Sequence, residues 1–122
     1  MGSVRGLDHV TIHTSRPHET IEFYVGLLGL EERPEDRPDF DFPGAWLWAG
    51  ERPIVHLVYL DDDPGRVSGP FDHIAFAAAD FDELQASFDA HDVRYRASAR
   101  PDLGLKQMFL RDPNGVRVEI TG

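Results

Sequence analysis

The chain has 122 residues, 41% hydrophobic and 28% charged, enough for one domain with a core and too short for two ordinary ones. Twelve Lys/Arg against 22 Asp/Glu leave a formal charge of −10, which argues against nucleic-acid binding, because affinity for phosphates rests on clustered positive charge. No apolar run approaches the ~20 residues of a membrane helix and no apolar leader is read at the start. With zero cysteines, disulfides and thiolate metal sites are excluded, so the expectation is a cytoplasmic protein with no membrane partner.

The first strand is read at Leu7-Asp8-His9-Val10-Thr11-Ile12. A helix follows from Pro17, with Ile21, Tyr24, Leu27 and Leu28 on one face and Gly29 as its stop. Residues 31–44, acidic and proline-containing, predict a short strand and then a mobile loop. Trp46-Leu47-Trp48-Ala49 and Ile54-Val55-His56-Leu57-Val58 read as a strand pair. The pattern then repeats after a polar linker at residues 61–70. Phe71-Asp72-His73-Ile74-Ala75-Phe76 matches the first strand, with His73 lying 64 positions after His9. Asp80 and Glu83 resemble a capping box, and Phe81, Leu84 and Phe88 supply the apolar stripe of a second helix. Phe109-Leu110-Arg111, Asp112-Pro113-Asn114-Gly115 and Val116-Arg117-Val118-Glu119-Ile120 form the last hairpin, with Glu119 lying 63 positions after His56. Asp-Pro-Asn-Gly favours a type I turn with left-handed glycine and a three-residue loop. That register sets Phe109 opposite Glu119, Gln107 opposite Thr121 and, carried to the first half, Trp46 opposite His56.

Each half therefore reads strand, helix and three strands. The fold class expected is α+β, two tandem βαβββ modules within a single domain over residues 1–122: module one at about 5–60 and module two at about 71–122. Four candidate ligands stand at repeat-related positions: His9 and His73 on the first strands, His56 and Glu119 on the last. Imidazoles with a carboxylate suit a divalent metal, whether Zn, Fe, Ni, Co or Mn. His56 is read as a ligand, as an acid or base beside the metal, or as a packing residue. Thr11, His13, Trp46, Trp48, Gln107 and Phe109 are the expected substrate contacts, an aromatic wall suited to a flat or apolar molecule. Arg111 and Arg117 at its edge, and His18 and His91 on helix surfaces, are expected to be solvated.

These motifs resemble the vicinal oxygen chelate superfamily, which includes glyoxalase I, methylmalonyl-CoA epimerase, fosfomycin-resistance thiol transferases, bleomycin-binding proteins and extradiol dioxygenases. The resemblance spans nearly the whole chain and includes Ile21-Glu22-Phe23-Tyr24-Val25-Gly26-Leu27-Leu28-Gly29-Leu30 as well as the Asp-His strands and the last hairpin. It implies curved mixed sheets around a metal-binding cup, with His9, His73 and Glu119 at the recurrent metal positions. His56 falls where glyoxalase I carries a glutamate and the epimerase a glutamine, which leaves a bound divalent metal more positive and argues against strict glyoxalase I activity. Phe109 stands where the thiol transferases use a tyrosine. The resemblance also implies a homodimer.

The leading expectation is a metal-dependent, glyoxalase-like lyase or isomerase acting on a small oxygen-bearing substrate, with Glu119 and His56 moving the proton. An Fe(II)-dependent extradiol-type dioxygenase and a drug-binding resistance protein without catalysis are the alternatives.

Overall fold

The computed structural model describes residues 2, 3, 5–36, 41–66 and 69–122. It is an α+β structure with two four-stranded mixed sheets, and its contacts divide it into two compact units, Met1–Pro64 and Gly65–Gly122. In the first, β1 (Val10–Thr14) is followed by α1 (Pro17–Ile21), β2 (Glu31–Glu32), β3 (Gly44–Ala49) and β4 (Arg52–Tyr59), giving the sheet order β1-β4-β3-β2. In the second, β5 (Ile74–Ala77), α2 (Phe81–Ala90), β6 (Arg96–Arg100), β7 (Leu105–Arg111) and β8 (Arg117–Thr121) give the order β5-β8-β7-β6. Both are βαβββ modules: the first strand lies parallel to the last, and the other pairs are antiparallel. Parallel pairing needs a crossover, and the helix of each module belongs to it.

Alternation along each strand separates a helix-covered face from an open one. In module one, Ile12, Thr14, Ala45, Leu47, Val55 and Leu57 are buried. Thr14 and Thr20 place their hydroxyl oxygens 3.0 Å apart, and the Thr20 hydroxyl also donates to the Arg16 carbonyl, which ties α1 to this face. In module two, Ile74, Met108, Leu110, Val118 and Ile120 are buried, together with Phe88 from α2. Lys106 bonds Asp82 at 2.9 Å, tying α2 to β7. Asp80 caps the helix by accepting from the Glu83 amide at 3.0 Å.

The first helix departs from the expected pattern. After Ile21 it widens into a π-helical turn, Glu22–Leu27. The wider turn rotates the following side chains relative to an α-helix. Phe23 and Tyr24 are the buried residues of this turn and Thr20 that of α1, whereas Ile21, Leu27 and Leu28 are only half-buried. Both Asp-His strands also begin later than expected, with His9 and His73 one residue ahead of β1 and β5. Residues 31–44 hold β2 and a short 3-10 turn, Pro34–Asp36; the part of the expected loop at residues 37–40 lies outside the described residues.

The two hairpins reach the same register by different routes. In module two the Asp112 amide donates to the Val116 carbonyl at 2.9 Å, closing the three-residue loop Pro113-Asn114-Gly115, with Gly115 at φ 86°. Phe109 then pairs with Glu119 and Gln107 with Thr121. Module one turns tightly through Gly50-Glu51, and a bulge between Leu47 and Trp48 shifts the ladder by one residue. The bulge sets Trp46 opposite His56; an unbroken ladder would put Trp46 opposite Val55. No helix among the described residues is long and apolar enough to cross a membrane.

Candidate metal centre

On the open face of module two, His73 lies between two carboxylates. Its Nδ1 is 2.7 Å from Asp72 Oδ2, and its Nε2 is 3.3 Å from Glu119 Oε1. Both neighbours are acceptors when ionised, and a neutral imidazole carries only one N–H. The hydrogen bond from His73, with the Arg117 charge behind it, holds the Asp72 carboxyl below its ordinary value. Nδ1 is thus the natural donor, and Nε2 turns its lone pair toward Glu119. The facing imidazole nitrogen and carboxylate oxygen are both groups that can ligate a cation. Glu119 is buried and accepts a further bond from Gln107 Nε2 at 3.2 Å on its other oxygen.

Module one repeats the dyad. His9 Nδ1 lies 2.7 Å from Asp8 Oδ2, and this bond likewise lowers the Asp8 pKa. Trp46 stacks on the buried His56 ring, with centroids 4.2 Å apart and planes within 1°. His9 meets the same indole edge-on at 4.8 Å, and the His9 and His56 rings are 6.3 Å apart. Phe42 closes on His56 at 5.9 Å.

The expected site residues thus gather as two clusters, His9 with His56 and Trp46, and His73 with Glu119 and Gln107. Among the described residues no group of three or more histidine and acidic side chains stands together as a ready metal cage. The donor chemistry nevertheless fits a divalent ion: imidazole nitrogen and carboxylate oxygen are the ligands such ions take in cysteine-free sites. A histidine ligand whose other nitrogen donates to a carboxylate is the usual arrangement at metal centres. Thr11 and His13 are exposed on β1, and Thr11 pairs with His56 on β4. Trp48 sits toward the β2 edge, with the Arg33 guanidinium 4.6 Å over its ring. Phe109 pairs directly with Glu119 and carries two arginines, Arg96 and Arg117, over its ring.

Sequence from residue 6 to residue 120 matches the family described as the Glyoxalase/Bleomycin resistance protein/Dioxygenase superfamily. The chain belongs to that superfamily. Among relatives in the superfamily, the metapyrocatechase of Geobacillus stearothermophilus is 27% identical over 124 residues; the match covers 98% of this chain but only 37% of the relative, whose length this chain does not approach. A glyoxalase/dioxygenase from Nostoc punctiforme superposes with a TM-score of 0.77 over 99% of this chain and 97% of its own, at 19% identity. The glyoxalase family protein of Enterococcus faecalis gives a TM-score of 0.73 at 26% identity, covering 97% and 98% of the two chains. Superfamily members are generally metal-dependent.

Three features of the site escape a residue-by-residue reading. Asp8 and Asp72 hold the histidines, and the signal was present in the recurrence of Asp before His in both halves. Arg117 is not simply solvated: it donates to Asp72 Oδ2 at 3.0 Å, so a chain runs from Arg117 through Asp72 and His73 to Glu119. Arg96 over Phe109 follows only from the β6–β7 register. Arg111, by contrast, is exposed and bonds the Gly115 carbonyl. His18 is exposed on α1, and His91 lies just past α2 with Nδ1 2.8 Å from the Ser87 carbonyl.

Proposed function

We propose that this protein is a metal-dependent, glyoxalase-like enzyme of the lyase or isomerase type, with His9, His56, His73 and Glu119 as ligands to a divalent ion. The observation that supports the reading is the approach of His73 Nε2 to Glu119 Oε1 at 3.3 Å beside the Nδ1 contact to Asp72, an imidazole and a carboxylate brought together as a pair of donors. When bound, a divalent metal supplies Lewis acidity toward a substrate carbonyl or enolate oxygen. The chain does the rest. Asp8 and Asp72 fix the tautomers so that Nε2 is the presented atom. Gln107 orients the Glu119 carboxylate, leaving Glu119 and His56 to take and return a proton at carbon or oxygen. Trp46 holds the His56 plane. Thr11, His13, Trp48 and Phe109 complete the substrate contacts, and the two modules act as one domain in a cytoplasmic homodimer. The absence of cysteine supports the compartment.

The metapyrocatechase relative, a dioxygenase, favours a second reading, Fe(II)-dependent oxygenation by the same ligands. Elemental analysis of protein purified without added metal tests the site: Glu119→Ala should lose most of the bound ion with the fold retained, and full retention would sink the proposed ligand set. Anaerobic Fe(II) loading followed by oxygen uptake with a catechol separates the two chemistries, since the lyase reading requires no uptake.

A further inference from the structure

Beside the donor pair of module two stands a cation that the proposed chemistry does not use. Arg96 on β6 pairs directly with Phe109 on β7, and Phe109 pairs directly with Glu119 on β8, so the three side chains form one row on the open face. The Arg96 guanidinium carbon lies 5.0 Å from the centre of the Phe109 ring, and that of Arg117 lies 5.3 Å from the same ring. The two arginines differ in what neutralises them. Arg117 is committed to Asp72 at 3.0 Å. Arg100, two residues along β6, is committed to Asp102 at 3.2 Å. Arg96 has no carboxylate within ion-pair distance among the described residues, and it is exposed to solvent.

An uncompensated guanidinium is notable on a chain with a formal charge of −10, where the general field repels anions. Contact with the ring restricts the guanidinium and leaves its N–H groups for a bidentate grip on a planar anion. The ring, with both guanidinium groups over it, is the apolar member that positions the cations.

We infer that Arg96 and Phe109 form a subsite for the carboxylate end of an organic acid, and that this end is the part of the substrate remote from the reacting oxygens. The inference rests on the reading of His73 and Glu119 as the centre of the site. Phe109 is the one residue between Arg96 and Glu119 in the row, so the substrate class is an acid long enough to reach from the Arg96 guanidinium over the Phe109 ring to the oxygens nearest Glu119.

The test uses the full chain without added metal and a matched pair of probes, 3-phenylpropanoate and its neutral analogue 3-phenylpropanamide. Affinities are measured by calorimetry, and the Arg96 Nε–Hε signal is followed by NMR in 15N-labelled protein. The acid should shift that signal and bind about tenfold tighter than the amide. Arg96→Gln should abolish the preference, and Arg96→Lys should keep part of it through charge alone. Equal affinities in the wild type, a preference retained in Arg96→Gln, or no binding of the acid up to tens of millimolar each overturns the inference. Zn(II) titration of the same proteins reads the underlying function separately. Arg96 touches neither His73 nor Glu119, so Arg96→Gln should bind metal as the wild type does. A wild type that binds no metal yet prefers the acid keeps this subsite and removes the metal-centre reading.

Discussion

If Asp8 and Asp72 present the histidines, removing them should weaken metal binding without touching a ligand. Asp72→Ala deletes the acceptor at 2.7 Å from His73 Nδ1 and releases the ring to rotate or change tautomer. Losses of roughly 10- to 100-fold in metal affinity are typical for such partners. The two dyads should not fall at the same end of that range. Asp72 is itself anchored by Arg117 at 3.0 Å and is 68% exposed, whereas Asp8 is 91% exposed and Arg52, its neighbour in charge, donates instead to the Leu7 carbonyl. Anchoring limits the freedom the ring would otherwise have, so Asp72→Ala should lie near 100-fold and Asp8→Ala near tenfold. Both proposed ligands, His9 and His73, serve one ion, so the two losses are coupled and the double variant should fall short of their product. Asp72→Asn, which keeps an oxygen acceptor but loses the charge that Arg117 pairs with, should fall between wild type and Asp72→Ala. Competition against a chelating indicator measures each constant, with circular dichroism as the check on fold. A loss below about threefold for Asp72→Ala, or a larger loss for Asp8→Ala than for Asp72→Ala, would refute the reasoning.

Three further outcomes are expected. Mixing His9→Ala chains with Glu119→Ala chains, after verified subunit exchange, should restore part of the metal binding if the ligands of one site come from two chains; no recovery means that each chain supplies its own set. Tyr95 donates to Asp89 at 2.7 Å, and this bond raises its pKa above 10.0, opposed by the weaker bond from Gln85. Its stabilising effect is therefore fully present below about pH 10 and is lost as pH rises through the raised value, so Asp89→Ala should shift one tyrosine to earlier ionisation in a 295 nm titration. Phe88, fully buried and the one fully buried side chain of α2, should cost about 3–5 kcal/mol when cut to alanine, read as a lower urea midpoint.

The repeat made most of the fold legible. Asp-His recurs with its spacing intact, and Asp-Pro-Asn-Gly specifies a three-residue loop by its turn chemistry, so the pairing of Phe109 with Glu119 could be counted outward from the turn. Trp46 opposite His56 could be transferred by analogy, but the bulge that produces it left no mark, because Leu47-Trp48 looks like any alternating pair. The π-helical turn was equally silent. Glu22 to Leu27 carries a residue order compatible with either helix, and only packing decides which turn forms. At the site, residue types capable of ligation were recognisable one by one. The roles of Asp72 and Arg117 were not, since they depend on contacts 45 positions apart in sequence.

Asp112 lies seven positions before Glu119 and on the loop rather than the sheet. It is nevertheless nearly inaccessible, and its carboxylate accepts from the amides of both Asn114 and Val116 at 2.8 Å. This knot determines where the return strand starts, and in a ladder with a two-residue period the start determines which way every later side chain turns. Were β8 to begin one residue late, Glu119 would point beneath the helix and a valine or isoleucine would take its place on the open side. A distant loop carboxylate thus acts as the datum from which the chemical face is measured. Damage there would show as a correctly folded hairpin displaying the wrong side, a fault of alignment that a melting curve alone would understate.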